Sequence, residues 1–562
     1  MDFKKAVADI LTIALGDEDI YESLETPRDV KLGDYAFPCF RLAKTLKKSP
    51  AVIAAQIKEK VENKSEFVAR IETAGAYVNF FLDKGAAAKA VISEIIDKGE
   101  RYGRGSAGRG AVTIDFSSPN VAKPFHIGHL RTTVIGNALY NIYDFIGYKS
   151  VGINHLGDWG TQFGKMITAY VKWGDREEIE KKGVKELNRL YVLFHREAKE
   201  DKSLEDEARA WFIKMQNGDE DALSVWRWFV EISLREFNKI YRLLDIKFDY
   251  FTGESFYNDK MDAVVTELKE KGLLEESDGA MIVNLERYDM PPLMVLRKDG
   301  GTLYATRDLA TAFYRKEEFN FVKSLYVVGL EQSLHFKQLF KVIELMGYDW
   351  DMAHIPFGLV RLEGGKLSTR EGQVVLMEEL LDEAVKRSKA IIERKNPSLD
   401  NKDEVARQVG VGAIIFNDLY NSRIKDVVFS WERILSFDGE TGPYVQYTHA
   451  RARAVLANGG TAAIDADNID FSILADEFSY ETVKLLGAFG DKAIEAAEKC
   501  EPYIITRYLV DLAQAFNRFY HENMVLSADA AVKTARLALV FCVKTVLASG
   551  LKLIGVAAPE KM

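Results

Sequence analysis

Ala111-Val112-Thr113-Ile114-Asp115-Phe116, followed by Ser117-Ser118-Pro119-Asn120 and then by His126-Ile127-Gly128-His129, decides the fold. The first run is a short, buried type of strand. The second is turn chemistry. The third opens a helical pattern that runs to Phe145, with Leu130, Val134, Ala138 and Ile142 on one face. Lys149-Ser150-Val151-Gly152-Ile153-Asn154 is the next strand. Strand, helix and strand in this order form a βαβ unit, and that unit implies a parallel sheet.

The same rhythm returns late in the chain. Ser324 to Gly329 is strand-like, His335 to Met346 helical, and Ala353 to Val360 strand-like again. A charged, helix-rich insertion from about 170 to 290 separates the two halves. Upstream, residues 1–108 form a separate small domain. Ile53, Ala54, Ile57 and Val61 have helical spacing there, and Ala76 to Leu82 alternate as a strand after Gly75. Tyr102 to Gly110 is Gly-rich and reads as a linker. From about 375 the strands fade and helices take over, most clearly after Pro502, where Leu509, Leu512, Phe516 and Phe519 share a face. The expected division is therefore 1–108, an α/β unit at 109–375, and helices at 376–562.

Composition narrows the class. Of the 562 residues, 47% are hydrophobic and 28% charged, a balance that suits a folded enzyme and excludes long disorder. No apolar run of signal-peptide length follows Met1, and the apolar stretch Leu537 to Leu547 is expected to be too short to span a bilayer. A soluble, cytoplasmic protein is the expectation. Cys39, Cys500 and Cys542 are far apart, without C-x-x-C spacing, so neither disulfide nor zinc is expected. The net charge of −10 argues against a nucleic-acid binder, because such proteins usually carry a basic footprint. RNA can still be held by a local basic groove and by stacking of unpaired bases.

His126-Ile127-Gly128-His129 carries the sharpest chemistry. A helix N-terminus offers free N–H groups and a partial positive charge, which makes it a phosphate site. Two imidazoles add donors, and Gly128 leaves room for a flat base or ribose against the backbone. Such a group would stabilise a crowded α-phosphate during nucleotidyl transfer. The plainer alternative is two histidines capping a helix. A second motif, Lys366-Leu367-Ser368-Thr369-Arg370, lies between Gly364-Gly365 and Glu371-Gly372. A mobile loop with these cations could close over a triphosphate, although a solvated turn would look the same.

Together the two motifs resemble the H-I-G-H and K-M-S-K-S signatures of class I aminoacyl-tRNA synthetases. Longer stretches narrow the resemblance to the arginyl-tRNA synthetase family: Ser117 to Arg131, Asn154 to Gly164, Thr441 to Tyr447, and Gly555-Val556-Ala557-Ala558-Pro559-Glu560. The resemblance covers nearly the whole chain. It implies a doubly wound, Rossmann-like catalytic domain flanked by an N-terminal α+β domain and an all-α anticodon-binding domain. It also implies ATP with Mg²⁺, L-arginine and tRNA(Arg) as partners, and a monomer is expected.

The resemblance assigns residues too. His126, His129 and Lys366 would act in catalysis, and His126, Gly128, His129, Lys366 and Ser368 would hold ATP. The second Lys of K-M-S-K-S is Thr369 here, a departure that the family tolerates. Lys123 and Arg370 are candidates for the missing cation. Tyr304 and Asp308 stand four apart at a strand-to-helix junction, and a guanidinium wants a planar carboxylate with an aromatic or hydroxyl neighbour. In the family they hold the arginine side chain, with Gln332 nearby. Ser118, Asn120 and His129 match positions that contact the amino acid, and Asp115 could meet its α-ammonium group. A first-turn helix acid and a half-buried strand aromatic are the plain alternatives for Asp308 and Tyr304. Tyr77 and Asn79 match positions that meet an extruded tRNA base, and His449, Arg451 and Arg453 resemble anticodon-side contacts. Alternating strand residues and an exposed basic helix face would look alike.

Two other classes stay open on sequence alone. One is a smaller nucleotidyltransferase of the same fold, which would leave the helical C-terminus unexplained. The other is a non-catalytic RNA-binding paralogue, against which His126, His129 and Lys366 argue.

Overall fold

The structure is a computed structural model and describes residues 3–16, 20–27, 29–61, 67–298, 300–362, 375–460 and 464–562. Near the N-terminus, strands β1 (Tyr35–Pro38), β2 (Val68–Ala74) and β3 (Tyr77–Leu82) form an antiparallel sheet in the order β1-β3-β2. Helices Phe3–Leu15, Pro50–Val61 and Lys84–Lys98 complete this α+β domain. It leans on the helical C-terminus. Asp34 pairs with Lys484 at 3.4 Å and accepts a hydrogen bond from the Tyr480 hydroxyl, while its other oxygen accepts from the Leu82 N–H.

A second sheet is built from β4 (Ala111–Asp115), β5 (Lys149–Asn154) and β6 (Tyr250–Phe251), with β10 (Lys323–Tyr326) and β11 (Met352–His354) arriving late. All pairings are parallel, and the spatial order is β11-β10-β4-β5-β6. Val112, Ile114 and Leu325 are fully buried, as expected when helices cover both faces of a parallel sheet. From β4 the chain winds one way to β5 and returns on the other side through β10. The C-terminal ends of β4 and β10 therefore form a topological switch point, where such sheets bind ligands.

Three expectations need correction. The run Ala353 to Val360 is not one strand. It splits into β11 and β12 (Val360–Leu362), because Pro356 has no N–H to give a ladder and its carbonyl accepts instead from Arg423. The region after 375 is not purely helical, since β13 (Val427–Phe429) pairs in parallel with β12. The insertion is helix-rich as far as Glu270 but not to its end. Its second half holds an antiparallel sheet of β7 (Leu274–Ser277), β8 (Ala280–Val283) and β9 (Leu293–Leu296). Asp278 and Gly279 both have positive φ, 49° and 80°, as a two-residue type I′ hairpin turn requires.

The remainder is helical, with Lys402–Leu419, Gly442–Gly459, Tyr503–Glu522 and Ala530–Leu553 packed together. Ala530–Leu553 is longer than the apolar run expected from sequence. It is long and apolar enough to cross a membrane, yet 72% of its most apolar window is buried in this molecule. It is a core helix. The three cysteines are free and buried.

Candidate active site

The signature turn caps itself. The His126 backbone is extended and precedes a 3-10 turn, Ile127–His129, which leads into the helix Leu130–Phe145. Gly128 N–H donates to His126 Nδ1 at 3.0 Å, and His126 N–H donates to His129 Nδ1 at 3.2 Å. Both rings thus accept at Nδ1, so each neutral imidazole carries its proton on Nε2. Burial lowers the basicity of His126, and burial together with the His126 charge pushes His129 down to about 3. The result is two uncharged N–H donors with ring centroids 4.1 Å apart. Gly128 is required: a Cβ there would lie 2.7 Å from His126 Cε1 and 2.8 Å from Nδ1.

The loop leading into the turn is strained and buttressed. Ser117, Ser118 and Ala122 have φ of 72°, 46° and 62°, which costs each non-glycine residue about 1 kcal/mol or more. The helix Glu220–Leu243 of the insertion holds them. Ser233 Oγ accepts from the Ala122 N–H at 2.9 Å, and the Tyr241 hydroxyl lies 2.8 Å from Ser117 Oγ. Thr133 Oγ1 bonds both the His129 carbonyl and Ser117 Oγ. Asn120 bridges to Gly157, whose absent Cβ would lie 2.2 Å from Asn120 Oδ1. Val375 and Met377 bond back to the backbone of Ile127 and Phe125. Lys366, Ser368, Thr369 and Arg370 lie outside the described residues.

Asp115 ends β4 at 6% exposure. Its oxygens accept from Ser118 Oγ at 2.9 Å and from Arg315 Nη2 at 2.8 Å. Arg315 stands on the helix Tyr304–Phe319, which also carries Tyr304 and Asp308. The Asp115–Arg315 pair therefore ties the signature loop to that helix. Sequence reasoning missed Arg315, whose only signal was a basic residue on the apolar face of a helix.

Around Asp308 the structure assembles residues to which the sequence assigned no role, His155 and Asp158 from the Asn154 to Gly164 stretch and His335 and Glu254 from outside any motif. His335 Nε2 lies 2.6 Å from Asp308 Oδ2, and its ring lies 4.8 Å from that of Tyr304. Glu254 pairs with Arg307 at 3.0 Å. Burial pushes its carboxyl up to about 7 against the pull of Arg307, with the charges of Asp308 and Asp158 adding to the rise. Asp158 accepts from the Ser255 N–H and hydroxyl, and burial raises its carboxyl too. His155, with a buried and unpartnered Nδ1, feels the charges of Asp115, Arg315 and Asp308 together. Tyr304 itself is 47% exposed, and Gln332 is exposed at the end of a short 3-10 turn, Leu330–Gln332.

Other expected residues lie apart. Lys123 Nζ sits 5.8 Å over the Tyr191 ring of the insertion. Tyr77 packs edge-on against the exposed Phe40, but Asn79 is only 4% exposed within its sheet. His449 is also 4% exposed, and its Nδ1 contacts the Pro559 carbonyl. It sits inside the helical domain, so the basic helix face offered as the plain alternative consists of the half-buried Arg451 and the exposed Arg453. Arg451 lies over the Tyr447 ring and donates to Asn517, and Arg453 pairs with Glu560. Among the described residues, no group of three or more His, Cys, Asp or Glu could hold a metal ion.

Comparisons agree with this geometry. The family model described as "tRNA synthetases class I (R), catalytic domain" matches residues 91–431. An arginyl tRNA synthetase N terminal domain matches 1–82, and a DALR anticodon binding domain matches 445–562. The arginine–tRNA ligases of Alkaliphilus metalliredigens and Clostridioides difficile are 55% and 53% identical over 567 residues, covering 100% of each chain. The Thermus thermophilus arginyl-tRNA synthetase structure superposes with a TM-score of 0.85 at 26% identity, covering 100% of both chains. That of Plasmodium falciparum gives 0.81 at 26% identity, covering 100% of this chain and 99% of the other. With the signature turn at the switch point and full-length relatives above half identity, the chain belongs to the arginyl-tRNA synthetase family of class I aminoacyl-tRNA synthetases.

Proposed function

We propose that this chain is an arginine–tRNA ligase: it activates L-arginine with ATP to arginyl-adenylate, releases pyrophosphate, and passes arginine to the 3′ end of tRNA(Arg). One observation carries this. Asp115 joins the two halves of the site, reaching the signature turn through Ser118 and the Tyr304/Asp308 helix through Arg315. An α-phosphate at His126 and His129 and a guanidinium at Asp308 would then be bound by two parts of one connected site.

The neutral Nε2–H groups of His126 and His129 stabilise the charge that builds at the α-phosphate, and they do so without moving a proton. Gly128 takes the flat face of the nucleotide. Lys366, Ser368 and Arg370 close on the β- and γ-phosphates, with Lys123 supplying the cation that Thr369 lacks. Mg²⁺ enters with ATP as part of the substrate. Asp115, Ser118, Asn120, His129 and Gln332 orient the amino acid, and Tyr304 with Asp308 reads its side chain. Tyr77, Arg451 and Arg453 face tRNA. The division at 108 and 375, a cytoplasmic location and a monomeric state complete the proposal.

Charging a total tRNA pool with each amino acid in turn tests it. Only arginine should be esterified, and pyrophosphate exchange with arginine should require tRNA. Comparable charging of another amino acid would sink the assignment.

A further inference from the structure

We propose that His335 is a positioning residue for arginine recognition, locking the Asp308 carboxylate and the Tyr304 ring into one orientation. This rests on the reading that Tyr304 and Asp308 face the guanidinium.

His335 stands in the first turn of the helix Ser333–Leu345, and Asp308 in the second turn of Tyr304–Phe319. Their side chains meet at 2.6 Å, each 14% exposed. A carboxylate oxygen accepts, so Nε2–H is the donor in this contact. A hydrogen bond to a charged oxygen is short and strong, and it fixes the plane of the carboxylate. A guanidinium is a rigid planar fork, so it binds well only to a carboxylate whose plane is already set. The same imidazole lies 4.8 Å from the Tyr304 ring at an interplanar angle of 43°. Behind it, Phe336 packs edge-on at 5.5 Å and is itself stacked by His354 at 4.6 Å. His354 is tied to the Val328 carbonyl just past β10. One residue thus touches both proposed guanidinium readers, and an aromatic wall holds it. Arg307, beside Asp308 in sequence, pairs with Glu254 instead.

The test is pyrophosphate exchange with saturating tRNA, comparing H335A, H335Q, H335N, D308N and the double variant H335A/D308N. Loss of a hydrogen bond to a charged group should raise the Michaelis constant for arginine about ten- to a hundredfold in H335A, leaving that for ATP unchanged. Gln places an amide N–H near the position of Nε2, so H335Q should recover most of the loss. Asn ends near the position of Nδ1, so H335N should not. In the D308N background, H335A should add little, because both changes remove one interaction. Equal effects on arginine and ATP, or full additivity with D308N, would make His335 a helix-to-helix strut and overturn the proposal. Should H335A fail to fold, the H335Q and H335N pair decides. A silent D308N would instead remove the guanidinium reading itself, and this outcome is distinct from a silent H335A beside an impaired D308N.

Discussion

Arg131, two residues beyond His129, is buried to 1% and lies 3.2 Å from the equally buried Asp418 of helix Lys402–Leu419. Its Nη1 also donates to the Lys425 carbonyl at 2.7 Å, just before β13. β13 pairs with β12, the strand that ends at Leu362, shortly before the second motif in sequence. One guanidinium therefore connects the signature helix, the helix Lys402–Leu419 and the β12–β13 ladder. The contact is imperfect, since Nε, Nη2 and both Asp418 oxygens make no aligned hydrogen bond. Burial raises the Asp418 carboxyl against the attraction of Arg131.

Arg131→Met should consequently be severe, because stranding a buried carboxylate costs about 3–5 kcal/mol. Adding Asp418→Leu should return most of the thermal midpoint at a fixed scan rate. Pyrophosphate exchange should stay impaired in the double variant, because the tie to Lys425 is still missing. Full recovery of exchange would show that the pair is only structural.

Gly128→Ala puts a Cβ on the His126 ring and should break the cap from Gly128 N–H to Nδ1. Losing one oriented donor typically costs about 10²–10³ in rate. Turnover in pyrophosphate exchange should fall by that order while the circular dichroism spectrum holds. Near-normal turnover would remove His126 from the mechanism.

Glu254 sits close enough to Asp308 for charge coupling, and its carboxyl titrates near 7. Above that pH it adds negative charge beside the guanidinium, so the Michaelis constant for arginine should fall as pH rises through 7. That for ATP should not follow. Glu254→Gln should flatten the arginine profile, and an unchanged profile would exclude Glu254. The sign for stability is opposite. A folded value above the unfolded ~4.3 favours the folded state at low pH, and that contribution is lost as pH rises toward 7.

Lys123→Ala should depress adenylate formation, and Thr369→Lys in that background should restore part of it, because a double-mutant comparison isolates a shared role. In the structure Lys123 rests over Tyr191, from which its flexible stem must swing to reach phosphate. A silent Lys123→Ala, or no rescue, leaves the load on Lys366 and Arg370.

Much was legible locally. The strand Lys149–Asn154 and the helix ending at Phe145 lie where hydrophobic periodicity put them, because a buried parallel strand and an amphipathic helix write their own patterns. The Asp278-Gly279 turn was also legible, a hairpin signal inside a stretch read as helical. Pro356 likewise announced the break between β11 and β12. Charge density points to a helix-rich insertion and masks the hairpin, and a short apolar run cannot mark its own interruption.

The sequence by itself determined the caps of the signature turn, since Gly128, His126 and His129 bond one another within four residues, although the loop before it is held by distant elements. It also determined the family, through long contiguous stretches. Only tertiary structure decided which residues surround Asp308. His335 is 27 positions away and Glu254 lies in the insertion, and no periodicity or spacing links either to it. Only tertiary structure, too, buried His449 and Asn79, whose residue types suit an RNA-facing surface. The reason is physical: capping and periodicity act over one turn of chain, whereas burial and charge coupling depend on which elements the packed core brings together.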